Sequence, residues 1–154
     1  MNDMSPQNAA ELSLTVERRI NASVEKVYQA WLDPQTLTRF FSNCQGISLA
    51  KAETDPKVGG RFLLLMNNGT RDIPHTGTYV ELVPHSRIAF TWESPFMTME
   101  GSTVTLDLVP DGAATLLTLT HVRFENEGSR DGHKGGWTAI LDGLVATTLQ
   151  VSGL

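Results

Sequence analysis

The first clear pattern along the chain is an alternation of apolar and polar positions. The apolar positions are Leu12, Leu14, Val16 and Ile20, and the residues between them are mostly polar. This alternation is typical of a strand with one buried face. Residues 1–11 are polar and show no such period. We therefore expect a flexible N-terminal tail over residues 1–11 and a single domain over residues 12–154.

Two short helices are predicted after this strand. The first has apolar residues at a helical period, namely Val24, Val27, Tyr28 and Trp31. Asn21 and Ser23 supply side-chain oxygens that can cap its first turn. The second helix is predicted to start at Asp33-Pro34, because Asp is a good cap and Pro is tolerated in the first helical turn. Its apolar side consists of Leu37, Phe40 and Phe41.

A run of about six strands follows from Ile47. Asn68-Gly69 separates apolar residues 62–66 from segment 73–83, as a hairpin turn does. Pro84-His85-Ser86 then separates that segment from residues 87–93. Pro110-Asp111-Gly112 is the clearest turn signal, and it divides the alternating segments 103–109 and 115–124.

The last segment has a helical period. Its apolar face consists of Trp137, Ile140, Leu141, Leu144, Val145, Thr148 and Leu149. Ser129 or Asp131 can cap this helix. Gly135, Gly136 and Gly143 each weaken a helix by about 1 kcal/mol relative to alanine. We therefore expect either close backbone packing at these glycines or a helix that starts after Asp131.

The order of elements predicts the fold class. One strand, two short helices, a run of strands and one long helix indicate an α+β protein and not the alternation of a doubly wound sheet. A sheet of six or seven strands in a chain of 154 residues has to curl. The C-terminal helix has the only apolar stripe broad enough to cover the inner face of that sheet.

Composition and charge exclude several classes of function. Hydrophobic residues make up 40% of the chain and charged residues 19%, which is the range of globular proteins. The net charge is −5, and the 12 Lys and Arg residues form no basic stripe, so we expect no nucleic-acid partner. No apolar run approaches the roughly 20 residues that span a bilayer. Cys44 is the only cysteine; we interpret it as an unreactive loop thiol, and the absence of an internal disulfide favours a cytoplasmic location.

Several motifs occur in a characteristic order along the chain. They are residues 16–23 (VERRINAS), 27–31 (VYQAW), Asp33-Pro34, 59–62 (GGRF), 77–84 (GTYVELVP), 90–92 (FTW), 117–121 (LTLTH) and Gly136-Trp137. Together they resemble the START/SRPBCC helix-grip superfamily, and within it proteins similar to the C-terminal domain of the activator of the heat-shock chaperone ATPase. One departure from the family pattern is Phe40-Phe41, where family members often carry tryptophan.

The resemblance has implications for both fold and function. It implies a curved antiparallel sheet wrapped around a long C-terminal helix, with two short helices between strands 1 and 2. It also implies a cavity between sheet and helix that often takes lipids, polyketides or other apolar molecules. It does not imply a catalytic set, because these motifs are mainly structural, and we expect no cofactor.

Apolar and aromatic side chains from both strands and helices are expected around this cavity. The predicted ligand-binding residues are Trp31, Phe40, Phe62, Leu64, Met66, Phe90, Trp92, Met97, His121, Trp137 and Leu141. For any single residue of this set, packing as solid core is the alternative that stays open. Met97 and Met99 are interpreted as a flexible cavity mouth or, equally, as a hydrophobic flap over the edge of the core. The remaining candidates for a polar rim, with surface placement as their default, are Arg61, Asp72, His75 and Glu93.

His121 is the only residue that we consider for catalysis. It continues the alternation of Leu117 and Leu119, so its imidazole is expected to point inward. It could orient a ligand or transfer a proton, but bonding to a buried partner is the favoured interpretation. No catalytic residue is therefore assigned. The four histidines show no metal-ligand spacing, so no metal site is predicted.

Three functions are compatible with these observations. The first is a non-catalytic binding protein for a small apolar molecule. The second is an enzyme of the cyclase, aromatase or dehydratase type, with His121 as the acid–base group and Glu93 or Arg61 in support. The third is a chaperone-cofactor role, suggested only by the resemblance and ranked lowest because no separate N-terminal domain is expected in this chain. A homodimer is a reasonable default for a small protein, and no membrane partner is expected.

Overall fold

The computed structural model describes residues 12–42, 48–95 and 102–147. Ten helices and strands follow one another in these ranges. In chain order they are β1 (Ser13–Ile20), α1 (Val24–Ala30), α2 (Pro34–Phe41), β2 (Ser48–Thr54), β3 (Arg61–Asn67), β4 (Asp72–Val83), β5 (Arg87–Thr91), β6 (Thr103–Asp111), β7 (Ala114–Val122) and α3 (Glu127–Ala146).

The strands form one antiparallel sheet. Its order is β1-β7-β6-β5-β4-β3-β2, so β1 and β2 are the two edges. The register shifts between Leu49 and Lys51 in β2 and between Tyr79 and Glu81 in β4. Such irregularities increase twist and bend a strand, and the sheet curls into a half-barrel. The predicted α+β helix-grip fold is confirmed.

The N-terminal elements agree with their sequence signals. In β1 the side chains of Leu14, Val16 and Ile20 are buried, as the alternation predicts. The Ser23 side chain accepts a hydrogen bond from the Lys26 amide at 3.3 Å and caps α1. The predicted cap of α2 is also confirmed, because a carboxylate oxygen of Asp33 accepts from the Thr36 amide at 2.9 Å.

The start of α3 differs from the prediction. Asn126 is the cap, and its side-chain oxygen accepts a hydrogen bond from the Ser129 amide at 2.7 Å. The predicted caps Ser129 and Asp131 are wrong, because both residues lie inside the helix. The backbone of Asn126 is extended, which lets its short side chain reach back to the first orphan amides. The helix is described as far as Ala146.

The expected close packing at two glycines of α3 is also wrong. A β-carbon built on Gly135 or Gly136 would meet no other atom within 4 Å. What holds α3 in place is its apolar face, where Trp137, Leu141 and Leu144 are buried. That face packs against β1 and α2, and it fills the concave side of the sheet.

Some predictions fall outside the described residues. They concern the tail over residues 1–11, Cys44, Met97 and Met99, and the last two apolar positions of the C-terminal helix, Thr148 and Leu149. These stay predictions. Within the described ranges, no helix has the length and apolar character that a membrane crossing needs.

Candidate functional site

A small apolar cavity lies between α2, the concave face of the sheet and α3. Its volume is about 20 Å³, which is roughly the space of one water molecule. Pockets that bind small molecules usually have volumes of about 300–1,000 Å³. A ligand would therefore enter this cavity only if its walls moved. The walls are Trp31, Leu37, Phe41, Thr54, Phe62, Leu64, Tyr79, Phe90, Trp92 and Trp137.

A larger, open groove lies between the β3–β4 hairpin and the first half of α3. Its volume is about 390 Å³, within the range of small-molecule sites. It adjoins the small cavity, because Trp92 and Trp137 line both. The groove is lined by Met66, Ile73, His75, Trp92, Ser94, Gly128, Ser129, Gly132, His133, Gly136, Trp137 and Ile140.

The helix wall of the groove owes its shape to glycines. Gly128, Gly132 and Gly136 are four residues apart, so they lie on one face of α3. A β-carbon on Gly132 or Gly136 would meet nothing within 4 Å. The space is open because side chains are missing there. Larger residues at these positions would fill the groove.

Two indole rings connect the groove to the protein core. Trp92 and Trp137 contact each other with ring centroids 4.9 Å apart, and both side chains are buried. The indole N–H groups of Trp31 and Trp92 have no hydrogen-bond partner in the part of the chain that the structure describes. Buried N–H groups usually have partners. Both tryptophans line the small cavity, so a water or a ligand acceptor that reaches these N–H groups could satisfy them.

His121 is fully buried behind Trp137. The indole Nε1–H of Trp137 donates to His121 Nδ1 at 3.0 Å, and His121 Nε2 lies 2.6 Å from the hydroxyl of Ser102. An indole N–H can only donate, so Nδ1 has to be unprotonated. The neutral ring therefore carries its proton on Nε2 and donates to Ser102. Both ring nitrogens are occupied by protein partners.

The surroundings of His121 keep it neutral. Burial lowers its pKa to about 3, and the nearby His133 acts in the same direction. Protonation would also place a proton on Nδ1 and break the bond from Trp137. His121 therefore remains uncharged at neutral pH. It lines neither the cavity nor the groove, and its contacts match the structural interpretation of this residue.

His75 and His133 lie in the groove instead. Nδ1 of His75 is 3.1 Å from the carbonyl oxygen of Ile73, and Nδ1 of His133 is 2.9 Å from that of Ser129. A carbonyl oxygen only accepts, so each neutral ring carries its proton on Nδ1 and leaves Nε2 as an acceptor. Burial lowers the pKa of His75 to about 4. The bond to Ile73 has a smaller, opposite effect on this pKa, and His133 lowers it slightly further.

These hydrogen bonds predict the tautomer of each ring. We expect His121 to carry its proton on Nε2, and His75 and His133 to carry theirs on Nδ1, at pH 7.5. Long-range ¹H–¹⁵N correlation spectra of the imidazole rings distinguish the two forms. A His121 ring protonated on Nδ1 would contradict the bond from Trp137.

The structure distributes the predicted ligand-binding residues over three environments. Six of them line the small cavity: Trp31, Phe62, Leu64, Phe90, Trp92 and Trp137. Met66 lines the groove, together with Trp92 and Trp137. Phe40, His121 and Leu141 are fully buried in the core and line neither space. Met97 lies outside the described residues.

The residues suggested as support for a catalytic His121 lie elsewhere. Arg61 and Glu93 form an ion pair of 3.3 Å between exposed side chains. They project from the sheet face opposite the buried Phe62 and Trp92. The structure therefore does not bring them together with His121.

The groove was not predicted from the sequence, in which neither His133 nor Gly132 was assigned a role. One signal was available, since Gly128, Gly132 and Gly136 recur every four residues along the predicted helix. Among the described residues, no group of three or more His, Cys, Asp or Glu side chains could hold a metal ion.

Known proteins share this fold. Protein CV1439 from Chromobacterium violaceum is 24% identical, with a TM-score of 0.76 over 87% of this chain and 95% of that one. An AHSA1-like protein from Aeromonas hydrophila is 23% identical, with a TM-score of 0.74 over 88% and 90%. An HSP90 activator from Plasmodium falciparum is 26% identical, with a TM-score of 0.69 over 88% and 94%. No curated protein sequence matches significantly.

The family assignment rests on a direct match of the sequence. The family model described as "Activator of Hsp90 ATPase homolog 1-like protein" (AHSA1) matches residues 21–148. That range begins just after β1 and includes every later element of the fold. The chain therefore belongs to the AHSA1-like family of helix-grip proteins.

Proposed function

We propose that this protein binds a small, mostly apolar molecule in the groove between the β3–β4 hairpin and α3. The observation that carries the proposal is the open space of about 390 Å³ beside two indole rings. Sites of this size with an apolar lining and a few polar groups are typical of small-molecule binding. The adjoining cavity of about 20 Å³ is too small for a ligand of that kind.

The lining of the groove supports a ligand with little charge. The described residues around it include no Lys, Arg, Asp or Glu. A charged group buried there would lose its hydration without gaining a partner of opposite charge. Trp92, whose buried indole N–H has no partner among the described residues, lines the same space, so an acceptor on a ligand that reaches this N–H would satisfy it.

A substitution on the helix wall of the groove tests whether the ligand binds there. Gly132→Leu is expected to fill the groove and to weaken binding of the neutral fluorescent ligand N-phenyl-1-naphthylamine at least tenfold. The fold should persist, because a β-carbon at position 132 meets no other atom and leucine favours a helix more than glycine does. Fluorescence titration measures the change in affinity.

Gly135→Leu is the matched control for this experiment. Gly135 lies on the same helix and has equally open surroundings, but it does not line the groove. We expect its affinity for the dye to equal that of the wild type. Equal binding by the Gly132→Leu variant would remove the groove as the site, and no saturable binding to the wild type would remove the proposed function.

The family description favours a second candidate function. A solved relative is described as an HSP90 activator, so stimulation of an Hsp90-type ATPase is the alternative for this chain. The chain, added in equimolar amount to a purified Hsp90-type chaperone, would then raise its rate of ATP hydrolysis. An unchanged rate, with no complex detected by sedimentation, would remove this candidate.

A further inference from the structure

We infer that the ligand of the groove donates a hydroxyl hydrogen bond to the Nε2 atom of one of two histidines, His75 or His133. This inference rests on the proposed function and narrows the ligand to a neutral, hydroxylated molecule with an apolar body. The two imidazoles come from different elements, His75 from β4 and His133 from α3, and both line the groove.

The hydrogen bonds of the two rings to the backbone determine which ring nitrogen can bind a ligand. Each Nδ1 is bound to a backbone carbonyl, that of Ile73 for His75 and that of Ser129 for His133. The proton of each neutral ring is therefore on Nδ1, and Nε2 is a lone-pair acceptor. No hydrogen bond engages either Nε2 among the described residues. Either acceptor is complementary to a hydroxyl donor on a ligand in the groove.

The neighbours of the two rings favour a flat, uncharged partner. His75 contacts the ring of Trp92 at 5.1 Å with an angle of 33° between the planes. His133 contacts Phe124 at 5.2 Å and the neutral His121 at 5.3 Å. No carboxylate among the described lining residues competes for the ligand's hydroxyl proton. An aromatic ring with a hydroxyl substituent can contact the indole of Trp92 and still reach an imidazole.

A matched pair of test ligands measures the contribution of the hydroxyl group. 2-Naphthol and 2-methoxynaphthalene have the same ring system and both carry an oxygen acceptor, but only 2-naphthol can donate. We expect 2-naphthol to bind about three- to tenfold more tightly at pH 7.5, the range of one neutral hydrogen bond. Isothermal titration calorimetry gives both affinities.

Replacement of the two imidazoles tests which groups accept the hydrogen bond. In the His75→Phe/His133→Phe double variant the rings remain but the acceptors are lost. The preference for 2-naphthol should therefore disappear, while the affinity for 2-methoxynaphthalene stays within about twofold of the wild type, because no donor is involved. That second affinity also shows whether the groove of the variant is intact.

The outcomes separate the inference from the proposed function. If the wild type binds both ligands equally, or if the double variant keeps the preference, the groove binds apolar molecules without the help of these histidines and the inference is wrong. If the wild type binds neither ligand, the proposed function fails and the inference fails with it.

Discussion

At pH 4.5 the free energy of unfolding is expected to be roughly 3–5 kcal/mol lower than at pH 7. An unfolded chain protonates its histidines near pH 6.5, whereas burial lowers the pKa of His121 to about 3 and that of His75 to about 4. Between pH 6.5 and 4 the unfolded state therefore binds up to two more protons than the folded state. Each such proton changes the stability by about 1.4 kcal/mol per pH unit.

The sign of the pH dependence follows from these two pKa values. The two histidines cost the fold no stability above pH 6.5, and the free energy of unfolding decreases as the pH falls from 6.5 toward 4. Urea unfolding at several pH values between 7 and 4.5 measures it. In His121→Phe the slope should decrease by about half, because one of the two protons no longer contributes. A stability that does not change over this range would contradict the neutral state of both rings.

Gly77→Ala is expected to destabilise the protein by about 3 kcal/mol. A β-carbon at this position of β4 would overlap the backbone carbonyl oxygen of Thr91 and lie 2.6 Å from the ring of Phe62. Thr91 is the last residue of β5, so its carbonyl cannot move without shifting that strand, and Phe62 is buried against Phe90 with ring centroids 5.2 Å apart. The strain therefore falls on the strands that form the wall of the small cavity. Chemical denaturation measures the loss.

Gly135→Ala provides the control. This glycine is exposed on α3, and its β-carbon would meet no other atom. Alanine favours the helix, so a gain of about 0.5–1 kcal/mol is expected. If Gly77→Ala were as well tolerated as Gly135→Ala, the close approach of β4 to Thr91 would be contradicted.

Features of the fold that depend on residues close together in the sequence were predictable from it. The alternation around Val16 predicted β1, Asp33-Pro34 predicted the start of α2, and Asn68-Gly69 predicted the β3–β4 turn, where Gly69 has a φ of 98°. Local geometry determines these signals. Asn126 was missed as a cap because Ser129 and Asp131 follow it within five residues and are equally good cap formers.

The site depends on contacts between distant segments, so local patterns could not predict it. Alternation correctly pointed His121 inward, but its partners Ser102 and Trp137 lie 19 and 16 residues away. The groove forms where the turn end of the β3–β4 hairpin, which includes His75, meets the first half of α3, which begins at Glu127. Aromatic side chains were expected to surround a cavity. In the structure most of them pack together, and the larger space lies beside glycines.

The most direct test of the account is the location of a bound ligand. In ¹H–¹⁵N NMR spectra titrated with N-phenyl-1-naphthylamine, we expect the largest shifts at the amides of Gly128, Gly132 and Gly136 and at the indole N–H of Trp92. Residues on the outer face of the sheet, such as the exposed Val80 and Val109, should not shift. Saturable shifts centred on that outer face, with the groove unchanged, would contradict the account.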